Sequence, residues 1–383
     1  MITKIINARI VCADSILEDH FVYIENGIIK AVTQESLPYE NVIDAEGNYL
    51  SAGFIDLHVH GGMDYDFMDG TEEAVITAAN FHCKHGTTTI CPTVSAASYE
   101  ATVGSLEGVR KAVKSGELLP SFGGVHLEGP YFSLNQCGAQ NADYITPPIP
   151  EDYNRILAEY KDILRRWSFA PELVGTEAFI KAMAEYDIVT SLAHTDAKYD
   201  DVMLAYREGC RLITHFFSCI SSITRDKGFR VLGVMECGYL LQDMMVEAIA
   251  DGCHIPTELF RMLYQIKGSD RMCLVTDAIR CAGIDKEVSV SGGIPIKVKD
   301  GVARLMDESA FAGSIATTDR LVRFCTKEVG IDLCETIKMI TVNPAKVMRL
   351  KQKGKIEVGY DADFVIFDEN IQIKNVFVAG EEV

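Results

Sequence analysis

Eight short apolar runs, each followed by a helical stretch or a long loop, organise the chain between Phe54 and Thr276. They are Phe54 to His60, Thr87 to Thr93, Gly123 to Glu128, Ser168 to Ala170, Ile188 to Ala193, Leu212 to His215, Val246 to Ala250 and Cys273 to Thr276. Strands that alternate with helices pair in parallel, because a parallel pair needs a long crossover between its members. Eight such units over about 300 residues predict an α/β chain built as a (β/α)8 TIM-like barrel. An open doubly wound sheet is the alternative. Neither a G-x-G-x-x-G nor a P-loop is present, which argues against a nucleotide-dependent enzyme.

The two ends of the chain follow another rhythm. "KIINARIVCADSI", "FVYIENGIIKAV" and "NVIDAEGNYL" read as short strands, and "ENG" between apolar runs is a hairpin signal. The final segment, "GKIEVGYDADFVIFDENIQIKNVFVAGEEV", also lacks a helical period. Neither end has enough strands for a core of its own. The expectation is a small β-sandwich domain made by both termini, residues 1–50 plus 349–383, beside a barrel spanning 51–348. The run "EVSVSGGIPIKVKDGVARLM" after the eighth strand predicts an inserted hairpin.

Composition narrows the partners. A hydrophobic fraction of 48% with 24% charged residues suits a globular chain, and a net charge of -19 argues against nucleic acid and anionic membranes. A small anionic substrate stays compatible with that charge, since a few local donors can hold one. No apolar run is long enough to span a bilayer, and the opening "MITKIINARIVCADS" lacks a signal-peptide plan. The 12 cysteines form no C-x-x-C pair, and Cys91, Cys210 and Cys273 sit in apolar segments. That usage predicts reduced thiols in a cytoplasmic protein.

In a barrel of this kind, chemistry belongs where the strands end. The first strand ends in His58 and His60, which share a face because successive strand residues alternate. The third ends at Glu128, the fifth leads into His194, and the sixth ends at His215. The seventh leads to Asp251 and His254, and the eighth to Asp277. Imidazole and carboxylate hold zinc or iron while leaving a position open for water. Four histidines, a glutamate and an aspartate at strand ends therefore predict a divalent metal site. His82 and His85 fall where a helix would end and are assigned no chemistry beyond the helix dipole. His20 is expected on the surface. His126 shares the face of Glu128, either lining the site or packing beneath it.

These motifs carry a resemblance. "GFIDLHVHG", "GTTTICPT", "GVHLEGPY", "LAHTDA", "THFF", "IADGCH", "VTDA", "FAGSIATTDR" and "TVNPAKVMRL" together resemble the amidohydrolase superfamily, and within it the N-acetylglucosamine-6-phosphate deacetylase family. The resemblance covers essentially the whole chain. It implies a hydrolase acting on an N-acetyl amino sugar phosphate, with one divalent metal or two, zinc or iron, and a homodimer. By it, Glu128, His194 and His215 correspond to shared metal ligands, and His58 and His60 to ligands of a second metal position. Asp277 corresponds to the catalytic acid/base. Gln140, His254, Ser218 and Cys219 correspond to substrate-binding positions.

Two departures bear on the substrate. Ser218 stands where relatives carry an asparagine, and "SSITRDKGFRVLG" lacks their Thr-x-Arg-x-Pro-Gly pattern. In relatives that arginine reaches a phosphate across a dimer interface. Its ungapped position here is Asp226, which would repel a phosphate; Arg225, carried among the substrate-binding positions, Lys227 or Arg230 could replace it. Action on another N-acyl amino sugar, such as N-acetylgalactosamine 6-phosphate, or on an unphosphorylated N-acyl compound is the alternative reading. A non-catalytic barrel homologue is the remote one, since no ligand is lost.

Overall fold

The computed structural model describes residues 1–383. Eight parallel strands form the barrel: β1 (Phe54–Val59), β2 (Thr87–Val94), β3 (Val125–Glu128), β4 (Leu164–Phe169), β5 (Val189–Leu192), β6 (Leu212–Ile213), β7 (Met245–Ile249) and β8 (Met272–Val275). They neighbour one another in chain order. Between β8 and β1 the barrel closes through single bonds, as Asp277 donates its N–H to the His58 carbonyl at 2.9 Å.

The strands match the apolar runs with one shift. β4 begins at Leu164, four residues before the expected Ser168, because Arg165 and Arg166 disguise it as polar. Arg166 is nonetheless fully buried. It tolerates the interior because its guanidinium is hydrogen-bonded there, the condition for burying a charge.

Helices pack outside the barrel through one apolar face each. The helix Tyr99–Ser115 buries Leu106, Val109 and Ala112, and is capped by the Ser98 hydroxyl at its start and by Gly116 at its end. Trp167 of β4 is fully buried, stacked on Tyr131 at 5.7 Å and donating its indole N–H to the Gly129 carbonyl at 2.8 Å.

Strands from both termini meet in two sheets. A four-stranded sheet orders Ile28–Thr33, Phe21–Glu25, Ile2–Ile6 and Asn41–Asp44. A six-stranded sheet joins Tyr49–Ala52 to Phe364–Phe367 in antiparallel register, with Phe364 opposite Ala52. Ile5, Val22, Ile24 and Ile29 of the first sheet pack on Ile10, Leu50, Phe364 and Phe377 of the second. The "ENG" hairpin forms with Asn26 and Gly27 as its two loop residues, both at positive φ (53 and 75).

After β8 the insertion is a three-stranded antiparallel sheet, Val288–Ser291, Ile294–Lys299 and Val302–Leu305, one strand more than the expected hairpin. It buries Ile296 and Ala303 against Ile279 and Cys281, so the insertion is pinned over the mouth of the barrel.

Phe364 is fully buried between the two terminal sheets. Phe364→Ala should therefore destabilise the chain by about 3–5 kcal/mol, the usual cost of emptying an aromatic site. Urea unfolding checks it, and a loss below about 1 kcal/mol would mean that the two ends do not share this core.

Candidate metal centre

At the end of β1 the chain turns sharply. A Cβ at Gly61 would meet the Tyr65 carbonyl oxygen at 2.2 Å, so the turn that follows His60 requires glycine. The turn aims His58 and His60 at Glu128, which ends β3. Three of the strand-end residues hold positive φ: His194 (44), His215 (27) and Asp277 (47). Non-glycine residues reach this region only where the surroundings enforce it, and such strain concentrates at functional sites.

The result is a cluster of imidazole and carboxylate groups around Glu128. Its Oε1 lies 3.0 Å from His215 Nε2, 3.3 Å from His194 Nε2 and 3.6 Å from His58 Nε2. Its Oε2 lies 3.3 Å from His60 Nε2. Asp277 Oδ1 stands 3.4 Å from His58 Nε2 and 3.2 Å from His60 Nε2. His58, His60 and Asp277 make one group of three with ligand atoms within 4.8 Å of one another, and Glu128, His194 and His215 make a second.

The outer nitrogens show what the inner ones must do. His58 Nδ1 faces Glu247 Oε2 at 3.1 Å, His194 Nδ1 the Gln136 carbonyl at 2.8 Å, and His215 Nδ1 the Ser218 carbonyl at 3.1 Å. Carboxylate and carbonyl oxygens only accept, so each Nδ1 carries the proton and, in a neutral ring, each Nε2 presents a lone pair. His194 and His215 bring these Nε2 atoms to 3.2 Å, as do His58 and His60. Lone pairs at that distance repel unless a cation lies between them. The donor set, four imidazoles and two carboxylates, fits a divalent metal ion.

The electrostatics of the cluster likewise favour positive charge. Burial alone would lower the pKa of His58, but Glu128 and Asp277 outweigh it and push it up to about 9. In the same way burial of His60 is overcome by Asp277 and Glu128, and its pKa rises to about 10. Burial likewise opposes ionisation of Glu128 and Asp277, yet the facing histidines hold both below the usual carboxylate range.

A cavity of about 200 Å³ opens on this cluster, lined by Gln140, Ser218, Cys219, His254 and, from the inserted sheet and the loop after it, Ser291 and Phe311. Gln140 donates to Glu128 Oε2 at 2.7 Å while its carbonyl accepts the Ala96 N–H at 2.8 Å. His254 packs 4.8 Å from the Phe311 ring and gives Nδ1–H to Asp251 at 2.8 Å. With Nδ1 engaged by Asp251, Nε2 is the ring nitrogen left for a ligand.

Arg225 is not brought to this cavity in its own chain. It lies in an exposed hairpin, Thr224–Asp226 with Phe229–Val231, opposite Arg230. His126 packs beneath the site, edge-on to His58 at 4.8 Å, and bonds to Thr93 at 3.2 Å and Ser168 at 2.6 Å. His82 differs from expectation: it is buried, its Nε2 donates to the Gly61 carbonyl at 2.9 Å, and burial lowers its pKa to about 4. It pins the turn after His60 rather than serving the helix dipole. The supporting residues Glu247, Arg166 and Ser95 were not legible as site residues. A charge inside an apolar strand is the signal that marks the first two.

The chain is similar to known proteins over its whole length. Residues 49–383 match the model of the amidohydrolase family. The chain is similar to the N-acetylglucosamine-6-phosphate deacetylase of Lysinibacillus sphaericus, at 31% identity over 98% of this chain and 96% of that protein. Its similarity to the enzyme of the same name from Haemophilus influenzae is 30%, covering 98% of each. The crystal structure of N-acetylglucosamine-6-phosphate deacetylase from Pasteurella multocida superposes with a TM-score of 0.93 at 28% identity, over 100% of both chains. A mutant of the Mycobacterium smegmatis enzyme in complex with N-acetyl-D-glucosamine-6-phosphate gives 0.90 at 27% identity, over 100% of this chain and 98% of that one.

Because the pKa values of His58 and His60 are raised, both rings are protonated at neutral pH without metal, and a bound cation must displace those protons. Zn²⁺ affinity should rise between about pH 6 and pH 8, by roughly tenfold per pH unit for each proton displaced. Titration of the metal-stripped chain should release protons in weak buffer. A dissociation constant independent of pH would contradict the assignment.

Proposed function

As this chain belongs to the amidohydrolase family, we propose that it hydrolyses the N-acetyl group of N-acetylglucosamine 6-phosphate, giving glucosamine 6-phosphate and acetate. The observation that carries this reading is the Asp277 carboxylate, 3.4 Å from His58 and 3.2 Å from His60, beside the ligand cluster at the floor of an open cavity. The likeness to deacetylases over essentially the whole chain supports the substrate class.

A divalent cation, zinc or iron, held by Glu128, His194 and His215, and a second by His58 and His60, would supply Lewis acidity, lowering the pKa of water from about 15.7 toward roughly 7. Asp277 removes the proton from the attacking water through its carboxylate oxygen. It then delivers that proton to the amide nitrogen as the C–N bond breaks, so the amine leaves neutral. One carboxylate serves both steps because its pKa is held low enough to begin as a base. Gln140, tethered to Glu128 and Ala96, holds one wall of the cavity in place. His254 Nε2, with its ring steered by Asp251, suits a sugar hydroxyl, which can donate or accept. Ser218 and Cys219 line the wall where the sugar sits.

The phosphate needs a separate argument. The walls of the cavity contain neither lysine nor arginine. We propose that the hairpin bearing Arg225, Lys227 and Arg230 supplies the positive partner, reaching the site of a second copy in a homodimer. Phe229 at its turn is 78% exposed, which suits a surface covered by that copy. The unpaired cysteines support placing the reaction in the cytoplasm, where thiols stay reduced.

Asp277→Asn should keep the cation of Glu128, His194 and His215, and lower turnover by roughly 10²–10⁴-fold. Metal analysis beside acetate release separates the two effects. A variant within a few-fold of wild-type turnover removes Asp277 from the reaction.

Acetate release from a panel of N-acetyl sugars tests the function itself. N-acetylglucosamine 6-phosphate should far exceed N-acetylglucosamine in kcat/KM, and Arg225→Ala should cost about 1.5–3 kcal/mol, as for a charged hydrogen bond. Equal efficiency on the two sugars would shift the assignment to an unphosphorylated N-acyl substrate.

A further inference from the structure

Beneath the ligand cluster the barrel interior holds a second polar layer that the proposed reaction leaves unused. Arg166 on β4 and Glu247 on β7 are fully buried and bonded to each other. The guanidinium also donates to Ser191 Oγ at 3.0 Å, Thr214 Oγ1 at 2.8 Å and the Leu57 carbonyl at 3.3 Å. These contacts tie β4 to β5, β6 and β1. Glu247 turns its other oxygen, Oε2, upward, where it accepts from His58 Nδ1 at 3.1 Å and from the His215 backbone N–H at 3.1 Å.

Stability does not account for such a pair. Replacing a buried ion pair with apolar side chains is often neutral or stabilising, because two charges must be stripped of water. What this pair supplies is orientation. One carboxylate oxygen meets a histidine of each ligand group, and it does so in two ways. At His58 it sets the proton on Nδ1, which turns the Nε2 lone pair toward His60 and Asp277. At His215 it touches only the backbone, bracing a residue held at φ 27.

We propose that Glu247, itself held by Arg166, is a positioning residue that determines whether the His58, His60 and Asp277 group takes up a divalent cation. This rests on the reading that the site is a metal centre. The asymmetry makes the inference specific. Losing the carboxylate changes the tautomer of His58, whereas His215 keeps its own Nδ1 partner, the Ser218 carbonyl.

Glu247→Gln is the discriminating change. Arg166 only donates, so the new amide oxygen must face it and the NH2 must face His58. Two donors then meet at His58 and at the His215 N–H; the His58 ring answers by moving its proton to Nε2, which cannot ligate, whereas the His215 ring keeps its Nδ1 proton on the Ser218 carbonyl and its Nε2 free to ligate. The full-length chain, stripped of metal and titrated with Zn²⁺ against a competing chelator, should show two binding events in the wild type. In E247Q one of them should weaken by about 10–100-fold while the other stays within about threefold. Should E247Q fail to fold, the double variant R166M/E247L removes both charges together and should show the same selective loss. Unchanged Zn²⁺ binding in a folded variant overturns the proposal. So does an equal loss at both positions with a lowered melting temperature, which would make the pair structural only. A wild-type chain that binds no Zn²⁺ overturns the metal reading itself, and this inference with it.

Discussion

Glu128 stands within 3.0 to 3.6 Å of the Nε2 atoms of four histidines, and those nitrogens stand at 3.2 Å from one another in pairs. Such crowding is unfavourable for neutral imidazoles whose lone pairs converge. It becomes favourable only with positive charge among them, as protons or as a cation. The fold around the cluster serves to hold this arrangement against its own repulsion. Each ring is pinned from behind, His58 by Glu247, His194 and His215 by backbone carbonyls, and His60 by the Ser95 hydroxyl at 3.1 Å.

Those rear contacts explain the layered interior of the barrel. A barrel filled only with branched apolar side chains would be simpler to stabilise. Here the strands alternate an apolar outer face, such as Val246 and Ala248 on β7, with an inward face that carries Glu247. Arg166, Ser168, Ser191 and Thr214 complete a hydrogen-bonded layer in which buried polar groups satisfy one another. Above it, positive φ at His194, His215 and Asp277 turns three ligand-bearing side chains inward just where their strands stop. The strain is supported by bonds across the barrel mouth, including Asp277 N–H to the His58 carbonyl at 2.9 Å.

Substrate access is decided by parts outside the eight repeats. The inserted sheet and the loop after it bring Ser291 and Phe311 over the cavity, and Phe311 in turn presses on His254. The hairpin after β6 is exposed and does not line its own cavity. A cavity whose lining holds no lysine or arginine, in a chain of net charge -19, does not attract a phosphate by its average field.

Much of this was legible in the sequence because it follows local rules. The period of two put His58 and His60 on one face, and the alternation of apolar runs with helical stretches identified eight strands and their order. Strand-end position put Glu128, His194, His215, Asp251, His254 and Asp277 at the mouth, and the family resemblance separated their roles. "ENG" announced its hairpin, because asparagine and glycine accept the positive φ that such a loop needs. What local rules could not carry was pairing across distance. His126 could be lining or support by alternation alone, and only its bonds to Thr93 and Ser168 place it beneath the site. His82 read as a helix-end residue, yet tertiary packing buries it against Gly61. Arg165 and Arg166 obscured the start of their strand. The partner of Arg166, Glu247, lies 81 residues further along the chain, and the carboxylate touches a histidine 189 residues before it. The sequence by itself determined which residues reach the barrel mouth, because strand period and strand end are properties of a few neighbouring residues. Only the tertiary structure decided which buried charges neutralise one another and which nitrogen of each histidine faces the site, because those are set by partners that closure of the barrel brings together.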